Sequence, residues 1–311
     1  MTKFSSQVAR LLVIFIIILA ASASAEGKID VFVSILPQKY FVQQIGKNLV
    51  DIQVMVQPGA NPASYEPKPR QMAAIAKTHI YFAIGVPFDN VWLNKIASSN
   101  PNMMVVQTDH GIPKIPMADH HYHREEANRQ ETDQHQKNER GQDGNRRDPG
   151  TLDPHIWLSP PLVMIQARTI LVALQKVDPV HRSEYEANYN AFVSEISKLD
   201  AELKYIFSIR QGLQFMVFHP GWGYFADTYG LKQIPVEIEG KNPKPAQLKE
   251  LIEYANQNDI NIIFVQPQFS AKSAQVIARG IGGQVVLADP LAEEWAANLR
   301  KVAHEIKAAL R

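Results

Sequence analysis

The sequence contains no cysteine. That excludes disulfide staples, thiolate metal ligands and a lipid carried on an N-terminal cysteine. It also lacks a charge bias. The 32 Lys and Arg face 31 Asp and Glu, a formal net charge of +1 at pH 7, which offers no electrostatic footprint for nucleic acid. No glycine-rich phosphate loop occurs, and Ser34, Ser159 and Ser270 lack a nucleophile-elbow context, so the usual signatures of nucleotide and serine-hydrolase chemistry are missing. Long hydrophobic runs are scarce too. Leu11 to Leu19 is nine strongly apolar residues, short of the roughly 20 that span a bilayer as a helix.

That run has other features around it. Lys3 and Arg10 precede it and Ala21-Ser22-Ala23-Ser24-Ala25 follows, the pattern of a secretory signal peptide over residues 1–25 cleaved after Ala25. Removing Lys3 and Arg10 with it takes the formal charge from +1 to −1. The expectation is a periplasmic protein released without a lipid anchor and folded without disulfides. At 311 residues and 45% hydrophobic content, the chain can bury two cores.

From Lys28 onward, β-branched apolar runs alternate with stretches of helical spacing. Strands are predicted over 29–35, 50–56, 79–84 and 103–107, with helices over 40–46, 70–77 and 91–97. The stretch 118–150 then carries eight acidic and six basic residues and almost no aliphatic ones. It cannot bury a core, and 119–148 reads as a mobile loop. A helix is predicted over 161–177 and a longer one over 180–210, where Tyr185, Tyr189, Phe192, Ile196, Leu199, Leu203 and Ile206 step by three and four. About 30 residues at 1.5 Å each make roughly 45 Å, the length of a strut between lobes. Strands at 214–218, 231–238, 260–265 and 284–288 alternate with helices at 223–229, 245–257, 271–279 and 293–310. The predicted fold class is α/β: two lobes, each a four-stranded parallel sheet flanked by helices, joined by a long backbone helix. The N-terminal lobe is assigned to 26–178, the linking helix to 179–210 and the C-terminal lobe to 211–311.

Ligands of open parallel sheets bind beyond the carboxyl ends of the strands. His219 follows the run Phe215 to Phe218, Asp289 follows Val285 to Ala288, and His155 sits between the halves in Asp153-Pro154-His155-Ile156-Trp157-Leu158-Ser159-Pro160. A single strand-end histidine is more often a hydrogen-bonded structural residue, and Asp-Pro often opens a turn. The three gain weight together, at corresponding edges and beside a loop carrying His120, His121, His123 and His135, with His110 before it. Two imidazoles and a carboxylate suit zinc, and also iron or manganese. A zinc hydrolase would need a base beside the metal-bound water; Glu237 and Glu239 are the nominees, and no spacing selects either. His79, His181 and His304 read as structural or surface residues.

Several motifs now combine: Pro58-Gly59-Ala60-Asn61-Pro62 with Tyr65-Glu66-Pro67, Asp153 to Leu158, Phe218-His219, Pro243-Lys244-Pro245-Ala246-Gln247-Leu248, Gln266-Pro267-Gln268-Phe269 and Asp289-Pro290-Leu291. Through them essentially the whole mature chain resembles the periplasmic zinc- and manganese-binding proteins of ABC importers, the ZnuA/TroA type of cluster A-I solute-binding proteins. The resemblance implies one metal ion between two lobes, little hinge motion and delivery to an ABC permease in the inner membrane. It implies His155, His219 and Asp289 as the second, third and fourth ligands. The histidine at the third position and the His-bearing loop are similar to the zinc branch, so Zn2+ is expected over Mn2+ or Fe2+, with a monomer that is not an enzyme. A zinc-dependent hydrolase and a zinc-buffering or adhesin-like protein are the readings from other classes. One departure stands out. The family's first ligand is a histidine where this chain has Ala63. A water, a loop histidine such as His121 or His123, or a shifted Glu66 are the three ways to fill the place.

Overall fold

The computed structural model describes residues 27–118, 151–208, 212–238 and 240–309. The leader at 1–25, the histidine-bearing stretch 119–148 and Glu239 lie outside the described residues.

The first half runs β1 (Ile29–Val33), α1 (Leu36–Gly46), β2 (Val50–Val54), α2 (Pro69–Ile75), β3 (Ile80–Ala83), α3 (Pro87–Ser99) and β4 (Met104–Gln107). All its strands pair in parallel, in the order β2-β1-β3-β4. Val31, Phe32 and Val33 of β1 and Ile80, Tyr81 and Phe82 of β3 are all buried. A central parallel strand covered by helices on both faces has to be apolar throughout. Pro37 and Pro87 look like breakers, yet they occupy the first turns of α1 and α3, which start earlier than their spacing predicts. A first-turn residue has no intrahelical N–H partner to lose, and the φ of proline already suits a helix.

A single 3-10 turn (Ile156–Leu158), α4 (Pro160–Val177) and α5 (Arg182–Phe207) lead to the second half. That half runs β5 (Gln214–Val217), α6 (Gly223–Thr228), β6 (Lys232–Pro235), α7 (Pro245–Gln257), β7 (Ile262–Val265), α8 (Lys272–Gly280), β8 (Gln284–Leu287) and α9 (Trp295–Ala309). Its sheet is again parallel, ordered β6-β5-β7-β8. The two sheets thus repeat one topology without repeating sequence. In each, the strand order reverses between the first and third strands, where the outgoing loops part and leave a crevice.

The long helix α5 has 26 residues, about 39 Å, somewhat shorter than its predicted span. It buries Tyr185, Phe192, Ile196, Leu199, Leu203 and Ile206 and packs on α4, on α1 from the first half and on α9 from the last. Where these helices meet, Phe41 of α1 stands edge-on to Trp295 of α9, with ring centroids 5.2 Å apart, and Phe192 of α5 lies 6.1 Å from Phe41. The halves therefore share one core. The second sheet adds another on its far side. Phe215 and Val217 of β5 face the shared core, while Met216 and Phe218 face Ile234, Leu251, Ile263 and Ile277. That division follows from the two-residue alternation of a strand.

Candidate metal centre

His155 is set by its own sequence neighbours. Oδ1 of Asp153 accepts the backbone N–H of His155 at 2.8 Å and lies 2.7 Å from its Nδ1. An aspartate binding the backbone two residues on is an Asx turn, and the intervening Pro154 narrows its freedom. Asp153 is itself fixed. Its N–H donates to the Ile115 carbonyl at 2.8 Å, and its carbonyl accepts the Tyr224 hydroxyl at 3.0 Å. Burial, opposed by a bond from the Ile115 N–H and reinforced by the nearby Asp153 carboxylate, pushes the Tyr224 phenol up to about 12, so it remains a donor. Gly221 runs close beside the His155 ring. A Cβ there would lie 3.2 Å from Nε2, so a side chain would press on the atom that faces a ligand.

His219 stands two residues after the last residue of β5, beyond its carboxyl end. Its Nδ1 lies 2.6 Å from Oε1 of the buried Glu237, and its ring stacks on Phe269 at 4.9 Å and 18°. Gln266 grips its backbone, accepting the His219 N–H at 3.1 Å and donating to the His219 carbonyl at 2.5 Å.

These two imidazoles meet. Their centroids are 5.3 Å apart, and both line a cavity of about 270 Å³ that also reaches Ala63, Glu237, Gln268 and Leu291. A carboxylate on each Nδ1 assigns the proton there and leaves the lone pair on Nε2, the arrangement that orients a metal-binding histidine. Asp153 Oδ2 and Glu237 Oε2 are buried without a hydrogen-bond partner among the described residues. Each carboxylate is thus met by its histidine on one oxygen only, and a divalent cation beyond the imidazoles would offset the remaining negative charge. The donor set fits a zinc-like cation.

Asp289 stands differently. It lines a neighbouring cavity of about 220 Å³ with Pro58, Gly59 and Glu293. Its Oδ1 accepts the Gln268 amide at 3.0 Å and the Leu291 N–H at 2.9 Å. Among the described residues, no three His, Asp or Glu side chains converge on one point. Ala63 lines the histidine cavity, so the place of the family's missing imidazole opens onto the pair. Glu66 is exposed and does not line it. Met117 and Thr151, joined by a 2.9 Å backbone bond, and Leu152 line the cavity on either side of the sequence gap that holds 119–148. Glu237, nominated as a base, stands behind His219. Its role there, and that of Asp153, were not read from the sequence. The Asp-Pro-His spacing carried the signal for Asp153, whereas Glu237 lies 18 residues from its partner.

Comparison with known proteins agrees with this architecture. Residues 31–309 match the family described as zinc-uptake complex component A, periplasmic (ZnuA). The zinc-binding protein AdcA of Streptococcus pyogenes serotype M3 is 24% identical over 278 residues, 88% of this chain and 52% of AdcA; the chain spans about half the length of the AdcA proteins it matches. A crystal structure of ZnuA is 40% identical, with a TM-score of 0.79 over 92% of this chain and 100% of that one. A ZnuA deletion mutant solved with zinc bound is also 40% identical, with a TM-score of 0.78 over 91% of this chain and 98% of its own. Matched by the family model over residues 31–309 and by a solved member over 92% of its length, the chain belongs to the ZnuA family of periplasmic zinc-uptake components.

Proposed function

We infer that this protein is the extracytoplasmic receptor of a zinc importer, capturing Zn2+ at the crevice and passing it to an ABC permease in the membrane. The observation that carries this is the His155–His219 pair, 5.3 Å between centroids, with each Nδ1 on a buried carboxylate. Zinc takes imidazole nitrogen at about 2.0–2.1 Å, and two rings so placed can share one ion through Nε2. Asp289 is the third protein donor, reaching the ion once its carboxylate leaves Gln268. A water or a histidine of 119–148 fills the place of Ala63. A site with so few protein donors exchanges its ion readily, which suits a carrier that must release it.

The zinc-bound ZnuA mutant, 40% identical to this chain, supports zinc over manganese, as does the nitrogen character of the pair. The chemistry is capture and release, not turnover: the matched family is one of zinc uptake, and Glu237, one of the two residues nominated as a base, is engaged with His219. Export through the 1–25 leader and release without a lipid complete the reading, since a chain without cysteine offers no thiol for one.

Chelator-competed zinc titration tests it, with manganese run in parallel. High-affinity zinc binding is expected in the wild type and lost in His155→Ala and His219→Ala. Wild-type affinity in His219→Ala would sink the site. Deleting 119–148 decides the last ligand: loss of affinity assigns it to a loop histidine, and unchanged affinity to water or a resident side chain.

A further inference from the structure

β7 lies between β5 and β8 in the second sheet, so the turn after it separates His219 from Asp289. Neighbouring strands are about 4.8 Å apart, which sets the two ligand-bearing backbones about 10 Å from each other with that turn in between. Among the described residues no three ligating side chains converge on one point, and His219 and Asp289 line different cavities, so for one ion to take both side chains, one of them must approach the other.

His219 is not free to do so. Gln266 holds its backbone from both sides, Glu237 holds its Nδ1, and Phe269 stacks on its ring. The approach must come from Asp289. Of the two bonds to Asp289 Oδ1, that from Leu291 N–H is local to a loop whose backbone Asn298 and Trp157 also hold, so the movement left to Asp289 is that of its side chain. The other comes from Gln268 Nε2 on the turn after β7. Gln268 also lines the histidine cavity, whereas Asp289 lines the cavity next to it. Gln268 therefore touches the carboxylate and borders the cavity of the imidazole pair.

We propose that Gln268 is a tether that competes with the bound cation for Asp289 and thereby sets the affinity of the site. In the metal-free protein the amide holds the carboxylate back. Binding breaks that bond, and release of the ion is helped by its return. Gln268 touches no metal; it acts through Asp289. The proposal rests on the reading of Asp289 as a ligand.

The test uses Gln268→Met, which keeps the length and loses the donor, alone and combined with Asp289→Ala, titrated with Zn2+ and Co2+. Gln268→Met is expected to bind zinc about tenfold more tightly, the worth of one hydrogen bond to a charged group. Its Co2+ complex should change its visible spectrum as an oxygen ligand engages more fully, and both effects should vanish in the double variant. Unchanged or weaker binding in Gln268→Met, or equal tightening without Asp289, overturns the tether. Asp289→Ala alone reports on the other reading. If it binds zinc as the wild type does, Asp289 is not a ligand and the tether falls with that reading; if it binds more weakly, Asp289 is a ligand and the comparison of Gln268→Met with the double variant decides the tether by itself.

Discussion

The indole Nε1 of Trp157 donates to the carbonyl oxygen of Pro290 at 2.7 Å, joining the segment of His155 to the segment of Asp289. Trp295 Nε1 in turn donates to the Trp157 carbonyl at 2.6 Å. All three residues are buried. Trp157→Phe would leave the Pro290 carbonyl without its donor, at a cost of about 1–3 kcal/mol. Urea unfolding should show that loss, and zinc binding should weaken with it, because the two ligand segments lose their common register.

Ala63 opens onto the cavity of the histidine pair. Ala63→His should supply a third imidazole and tighten zinc binding by about tenfold or more, since each further nitrogen donor completes the tetrahedron zinc prefers. Competitive titration would show it. Binding no tighter than wild type would mean that the position cannot reach the ion.

Glu237 fixes the tautomer and the direction of His219. Glu237→Gln keeps the shape but replaces a charge-assisted bond with a neutral one. Zinc affinity should fall by about tenfold, the lower end of the effect of such supporting groups, while the secondary structure seen by circular dichroism stays as it was.

Asp89 is buried beneath the cavity wall. It accepts the Ser34 hydroxyl at 2.6 Å and the backbone N–H groups of Ile84 and Gly85 at 3.0 and 2.9 Å. Burial raises its pKa despite those bonds. Asp89→Ala leaves two backbone donors unpaired under Gly85, Val86 and Pro87, which line the cavity. A loss of about 2–4 kcal/mol is expected from chemical denaturation, with weaker zinc binding.

Asp178 sits between α4 and α5. Burial opposes its ionisation, but bonds at 2.7 Å from the Tyr185 hydroxyl and to His181 Nδ1 outweigh it and hold the carboxyl below its ordinary value. A carboxyl depressed in the folded state stabilises above its unfolded pKa and loses that contribution as pH falls through the folded one. Asp178→Asn should therefore be less stable than wild type at pH 7, with the gap narrowing below about pH 4. Unfolding curves at both ends would check this; a gap independent of pH would contradict it.

The alternation of apolar runs with helical spacing was enough to place the eight strands among the described residues and the two-lobe α/β class, most sharply for the central β1, β3, β5 and β7, because a parallel strand buried on both faces leaves an unbroken apolar signature. Element ends were less legible. The helices predicted over 40–46 and 91–97 begin earlier, with Pro37 and Pro87 in their first turns, since proline is compatible with a first turn and with a break alike. The long helix likewise stops at Phe207, short of the apolar pattern's predicted end.

At the metal centre the division is sharper. The sequence by itself determined that His155 and His219 are candidate donors, that no thiolate is present and that alanine stands at position 63, all of which are matters of residue type and close spacing. Tertiary structure alone decided that the two imidazoles face each other, that Glu237 backs His219 across 18 residues, and that Asp289 is held by Gln268 in the adjoining cavity. Residue type states which atoms can donate to a cation. Strand order, by putting β7 between β5 and β8, sets how far those atoms stand from one another.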